Sequence, residues 1–447
     1  MFLGSNIFND MDELFFSFKD SLIPDEEIDK LGIGFGDVIK SMNDSASRGY
    51  DDDRASINLP FDNKAADKIM DVAQGKRELN PKGLVVVGIG GSILGARAVQ
   101  EAVSGKLRNQ CDPGMKVLYA GNADPCLIRD IKEVMESILE SGGDVILNVV
   151  SKSGATTETL ANFQLLVDLL SKHRSDYSKY VVATTERESG LWNLAVREDF
   201  DLLEIPEKVG GRFSVYSPAG LFPLALSGVD IDKLLEGARV MRDRCLKGGI
   251  RDNPAALGSI VTYLNHMRGN STYNLFLYSE DFESIGGWHR QLVAESLGKE
   301  YNNKGERVFE GLTPLTCIGS RDLHSMAQLL LGGPYDKLTS FIKINGGDSG
   351  VNVPLNPVYS GLVDGIQGKS LDSIMDAIYE GVKVSFRKRD RPFTEVVLPD
   401  RGAASVGAFL QYKMMEVMYL GSLLDVNPFN QPNVESYKEE SRRILGL

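Results

Sequence analysis

The sequence predicts an α/β protein of two domains, each a mostly parallel sheet flanked by helices, with a helical arm before them and a helical tail after them. Three observations carry this. Short β-branched apolar runs, "GLVVVG", "KVLYAG", "DVILNVV" and "KYVVATT", alternate with segments of helical periodicity. Continuous apolar strands between helices belong to parallel sheets covered on both faces. A second, less regular series of such runs follows, and 447 residues exceed one domain of about 150.

The elements follow in chain order. Residues 1–63 are polar and mixed, with the acidic "YDDDR" at Tyr50–Arg54, and read as an arm of helices and loops. A first domain over 64–228 takes strands at Gly83–Gly88, Lys116–Gly121, Asp144–Val150 and Lys179–Thr185. The join falls between Leu226 and Arg251. A second domain over 229–425 takes strands at Tyr273–Ser279, Gly311–Gly319, Leu338–Ile344 and Thr394–Asp400, with a helical pattern at Leu371–Phe386. The tail, 426–447, opens with the turn-rich "NPFNQP" and closes with a short helix.

Charge narrows the function. Lys plus Arg number 49 against 62 Asp plus Glu, a formal charge of −13. Such a chain is a poor partner for nucleic acid or an anionic membrane, so any anion must be held by local donors. The one basic cluster, "RKRDR" at Arg387–Arg391, reads as a solvated helix end. The opening "MFLGSNIFNDMDELFF" lacks the basic region of a signal peptide, and no apolar stretch reaches the roughly 20 residues of a membrane span. Cys111, Cys126, Cys245 and Cys317 are scattered, the pattern of buried thiols in a reducing cytoplasm. The histidines His173, His266, His289 and His324 show no metal-ligand spacing. The expectation is a cytoplasmic protein with no metal and no cofactor.

Two loops then stand out. In open α/β sheets, ligands bind at the carboxyl ends of strands, where helix N-termini present free N–H groups. "GIGGSILG" (Gly88–Gly95) and "SKSGATT" (Ser151–Thr157) each follow a strand, and the second opens a helix with Leu160, Phe163, Val167 and Leu170 at helical spacing. Glycine lets the backbone approach a ligand, and Ser and Thr add neutral donors, together enough for a phosphate dianion. Alone, "GIGGS" fits a structural turn as well as a ligand loop, and "SKSGATTET" fits a helix cap. The first loop is not a dinucleotide fingerprint, because the third glycine of G-x-G-x-x-G would fall at Ile93, and it is no P-loop, lacking GK[ST]. The two loops together point to a phosphorylated small molecule, with Gly91, Ser92, Ser151, Lys152, Ser153 and Thr156 as the candidate substrate-binding residues.

These loops, with "VGGRFSVYSPAGLFPLA" (Val209–Ala225), "QLVAESLGKE" (Gln291–Glu300), "GSRDLHSMAQ" (Gly319–Gln328) and "NPFNQPNVESYK" (Asn427–Lys438), resemble the glucose-6-phosphate isomerase family in its compact bacterial form. The matches run in order from Gly88 to Lys438, about four-fifths of the chain. Ser153 and Ala155 stand where threonine is common in the family, and Leu297 where many relatives carry a polar residue. The resemblance implies two sugar-isomerase-type domains and an aldose–ketose isomerase interconverting glucose 6-phosphate and fructose 6-phosphate through ring opening and a cis-enediolate.

That chemistry needs a base, a group to steady the enediolate and an acid/base to open the ring. The helix "GWHRQLVAESLGKE" places Trp288, Leu292 and Glu295 on one stripe, and a carboxylate beside an indole loses hydration. By itself Glu295 fits an interface carboxylate, with Lys299 one turn on as a pairing partner; the resemblance implies that it is the proton-shuttling base. Arg212, after two glycines, can approach a ligand and suits a developing enediolate, or a salt bridge to a nearby acid. Ser217-Pro218 behind it reads as an N-cap and first helical residue. The resemblance selects His324 as the ring-opening group, contributed by the neighbouring subunit of a homodimer, with Lys438 beside it and Gln431 on the sugar phosphate. His173, His266 and His289 read as structural.

An isomerase that also accepts mannose 6-phosphate is the nearest alternative. A sugar-phosphate sensor without chemistry has no use for Arg212, Glu295, His324 and Lys438 together, and a nicotinamide dehydrogenase fails at Ile93.

Overall fold

The computed structural model describes residues 13–111, 114–346 and 349–446. Its strands are β1 Phe15–Ser17, β2 Gly83–Val87, β3 Lys116–Ala120, β4 Val145–Val150, β5 Val181–Thr185, β6 Asp201–Glu204, β7 Thr272–Leu277, β8 Lys299–Tyr301, β9 Arg307–Glu310, β10 Thr313–Ile318, β11 Lys337–Ile344 and β12 Phe393–Leu398. One sheet has the order β3-β2-β4-β5-β6 and is parallel throughout. The other has the order β1-β12-β11-β7-β10 and is parallel except for β1, which runs antiparallel to β12. Every residue of β2 and β4 is buried, as the unbroken apolar runs require of a sheet covered on both faces.

The α/β class with parallel sheets stands as expected, with differences at the edges. The arm is not only helices and loops: its β1 crosses to the second sheet, pairing Phe15 with Val397. Residues 1–12 lie outside the described part. Edge strand β6, "DLLE", and the antiparallel β8–β9 hairpin were not anticipated, being short and charged, with no apolar run to betray them. The basic cluster is only partly a solvated helix end. Arg387 makes a two-point pair with Asp20 at 2.8 Å, and Arg391 is buried on the carbonyls of Pro334 (2.9 Å), Leu331 (3.1 Å) and Gly333 (2.6 Å). Of the four free thiols, Cys245 and Cys317 are buried while Cys111 and Cys126 are exposed, so burial describes only half of them.

A single apolar core runs from both sheets onto the helix Ala403–Leu423, which is buried along almost its whole length. That helix crosses Ile231–Arg244 at glycines. A Cβ on Gly407 would lie 2.1 Å from the Leu234 carbonyl oxygen, and one on Gly237 would lie 1.8 Å from that of Ala404, so only glycine permits this approach. A second cluster, largely aromatic, with Phe276, Tyr278, Phe341, Tyr379, Phe386 and Phe393, packs on the second sheet. No described helix is long and apolar enough to cross a membrane.

Candidate active site

β2 and β4 are neighbours in the first sheet, so the loops leaving their carboxyl ends lie side by side. The first turns at Gly90 (φ +57°) into the helix Gly91–Ser104. The second turns at Gly154 (φ +63°) into the helix Thr157–His173. Within it, the buried Ser151 hydroxyl meets the Thr156 hydroxyl at 3.0 Å, and Ser153 Oγ accepts from the Ala155 amide at 3.3 Å. From β5, Thr185 Oγ1 donates to the Ser151 carbonyl at 2.6 Å and fixes the loop from beneath. Lys152 Nζ donates to the Glu207 carbonyl; burial pulls its ammonium pKa below the ordinary value, against the charges of Glu186 and Glu207. Ser92 is partly exposed at the mouth of the first loop.

The segment after β6 brings Arg212 to the same place. A Cβ on Gly91 would lie 2.2 Å from the Gly211 carbonyl carbon and 2.7 Å from the Arg212 amide nitrogen, so the two glycine loops touch through bare backbone. Ser217 accepts from the Ala219 amide at 3.2 Å and caps the helix Pro218–Leu226 behind Arg212, with proline in the first turn.

Arg212 is buried, and its donors organise everything around it. Nε donates to Ser296 Oγ at 2.7 Å; Nη1 donates to Glu295 Oε2 at 3.2 Å and to Gln431 Oε1 at 2.8 Å; Nη2 donates to the carbonyls of Pro428 and, at 3.2 Å, Asn430. Burial lowers its pKa from the usual value, and the Glu295 carboxylate opposes that pull. Glu295 leaves a third of its side chain exposed, and its other oxygen accepts from Gln291 Nε2 at 3.0 Å. Gln291 also lies 3.1 Å from where a Cβ on Gly90 would stand, so it spans the phosphate-type loop and the carboxylate.

Arg212, Glu295 and Gln431 therefore meet, and the loops holding Gly91 and Ser151 adjoin them. Gln431 gives its side-chain oxygen to Arg212. Trp288 and Leu292 are buried as the stripe required. Lys299 does not pair with the Glu295 carboxylate: its Nζ takes the Glu295 backbone carbonyl and that of Asn430 at 2.9 Å. Leu297 is fully buried, so the departure from the family pattern there lies in the core.

Two expected partners make no hydrogen bond to this cluster among the described residues. His324 is exposed just after the turn Arg321–Leu323, and the neighbouring Asp322 accepts from the Ile318 amide at 2.7 Å and the Ser325 hydroxyl at 3.0 Å. Lys438 pairs with Glu435 at 2.7 Å on the helix Glu435–Leu445, which buries none of its residues. Gln291 and Ser296 were missed. Their sequence signal was their place beside Glu295 on one helix.

The statistical description of the family Phosphoglucose isomerase matches residues 72–446. A glucose-6-phosphate isomerase of Carboxydothermus hydrogenoformans is 32% identical over 429 residues, covering 94% of this chain and 90% of that protein. The crystal structure of a hypothetical protein of Thermus thermophilus superposes with a TM-score of 0.84 at 28% identity, covering 97% and 99% of the two chains. That of a glucose-6-phosphate isomerase of Chlamydia trachomatis does so at 0.82 and 21% identity, covering 98% and 89%, and speaks to the fold alone.

Proposed function

The chain belongs to the phosphoglucose isomerase family and interconverts glucose 6-phosphate and fructose 6-phosphate, and we propose that Glu295 and Arg212 carry that chemistry beside a phosphate cradle at Ser151–Thr156. The observation that carries this is the meeting of a part-exposed carboxylate and a buried guanidinium at the point where two glycine loops touch.

The cradle holds the phosphate with the hydroxyls of Ser151, Ser153 and Thr156, the Lys152 ammonium and the amides of the helix start, while Gly91 and Ser92 admit the sugar. Binding energy from this non-reacting end positions the reacting carbons. With the ring open, Glu295 takes the proton from C2; the electron pair forms the C1–C2 double bond, and O1 becomes the oxyanion. Arg212 steadies that charge. A proton then passes from O2 to O1, the carbonyl re-forms at C2, and Glu295 returns its proton to C1. A base of this kind contributes on the order of 10²–10⁴-fold. Gln291 fixes the carboxylate oxygen that Arg212 does not hold.

Ring opening falls to His324 and Lys438. His324 is exposed, as a side chain offered to a second copy must be, and in this reading a homodimer completes the site with the partner's histidine. The division into 64–228 and 229–425, one per sheet, and a cytoplasmic location belong to the same reading.

The test is an NMR time course with glucose 6-phosphate in D₂O. Fructose 6-phosphate should appear with deuterium entering C2 of the aldose, and Glu295→Gln should abolish the exchange while phosphate-dependent binding persists. Binding without conversion by the unmodified protein would make it a sensor instead.

A further inference from the structure

The strap Asn427–Gln431, between the helices Ala403–Leu423 and Glu435–Leu445, carries no charged side chain, yet two buried cations hold it. Arg212 takes the carbonyls of Pro428 and Asn430 and the Gln431 side chain. Lys299, only 6% exposed, takes the Asn430 carbonyl a second time, at 2.9 Å, together with the carbonyl of Glu295. Glu295 lies in the last turn of the helix Glu283–Leu297, where carbonyls lack helical partners and a cation is favoured.

No carboxylate pairs with Lys299 among the described residues. The groups facing it are Arg212, which repels it, and Glu295, whose carboxylate is turned to Arg212 and Gln291. On the hairpin, Glu300 is held by Arg307 and Asn433, and Glu310, opposite in register, by His266 at 2.7 Å. Below the strap, Asp425 is held by Asn303 and Lys304. A buried ammonium without a counter-charge is costly, so its two carbonyl bonds are what it does.

We propose that Lys299 is a positioning residue: its ammonium fastens the strap to the end of the helix bearing Glu295, and the strap in turn holds Arg212 in its reacting pose. This rests on the roles given above to Arg212 and Glu295. Burial, with Arg212 beside it, pushes the Lys299 pKa down to about 8. The folded protein therefore releases this proton before the unfolded chain does. From about pH 8 up to the ordinary lysine range this group adds to stability as pH rises, while the tether weakens. Loss of rate in that window is thus not loss of fold through Lys299.

Attachment is read first, without substrate, by hydrogen–deuterium exchange of the full chain over residues 425–436 at pH 7. Protection should fall on the order of tenfold or more in Lys299→Met and return in part in Lys299→Arg. In turnover, Lys299→Met should lower kcat roughly 10- to 100-fold with KM within about threefold, because the phosphate loops sit on another element. The rate of the unmodified enzyme should decline as pH rises through about 8, and Lys299→Arg should carry its rate to higher pH. Unchanged protection, or an unchanged kcat, in Lys299→Met overturns the proposal. A loosened strap in a protein whose unmodified form converts no substrate would retain the tether and discard the roles of Arg212 and Glu295. Should Lys299→Met not fold, strap protection in the unmodified protein must fall against Lys299→Arg between pH 7 and 9.5, and equal protection is again fatal.

Discussion

Every nitrogen of the Arg212 guanidinium donates inside the protein, to a hydroxyl, a carboxylate, a side-chain amide and two backbone carbonyls. A lysine there keeps the charge but cannot reach these partners at once. Arg212→Lys is therefore expected to lower kcat by about 10²–10³-fold and to cost about 1–3 kcal/mol of stability, read by steady-state kinetics and urea unfolding. A variant within a few-fold of the parent kcat would remove Arg212 from the reaction. At this scale the sequence showed the pair because its chemistry lies in side-chain identity: a carboxylate two turns beyond a buried tryptophan, and a guanidinium behind two glycines. It did not show what orients them. Pro428 and Asn430 act through backbone carbonyls, which every residue owns, so no letter marks them, and the partner first supposed for Lys299 was a carboxylate when the true one is a carbonyl. His324 and Lys438 were visible as residue types, but one is exposed and the other rides a helix that buries nothing, and among the described residues neither hydrogen-bonds to Arg212 or Glu295.

Among the elements, the helix Pro218–Leu226 is buried from end to end and starts immediately behind the Arg212 loop. Its cap, Ser217, also donates to the Ser214 carbonyl at 2.8 Å, so one hydroxyl fixes both the helix and the loop. Ser217→Ala should cost about 1–2 kcal/mol, seen as a lower urea midpoint with an unchanged slope. A midpoint equal to the parent's would mean that proline in the first turn suffices. Strands were legible where both faces are buried, since continuous Val, Ile and Leu runs have no other stable home. β1, β6, β8 and β9 escaped because an edge or hairpin strand of three or four residues buries too little to impose a pattern. The swap of β1 into the far sheet is set by a contact nearly the whole chain away, which no local window contains.

Over the whole molecule, the central helix Ala403–Leu423 carries charge into the core. Lys413 donates to Glu416 and to the Tyr273 hydroxyl, each at 2.8 Å, while Tyr412 donates to the other Glu416 oxygen at 3.0 Å. Removing one partner strands the other: Glu416→Leu should destabilise by about 3–5 kcal/mol, and adding Lys413→Met should recover much of that loss, measured in a double-mutant cycle of unfolding free energies. Additive losses would mean that the two charges do not depend on each other. The pairing of β1 with β12 has a consequence in time. A ribosome makes Phe15–Ser17 first and Phe393–Leu398 some 380 residues later, an interval of roughly 20–80 s at ordinary elongation rates. Throughout that interval the first sheet can close on its own strands, while the nascent arm waits with its apolar residues unsheltered. The second sheet gains its outer edge only after β12 is made, so β1, among the first strands synthesised, is among the last to find its place.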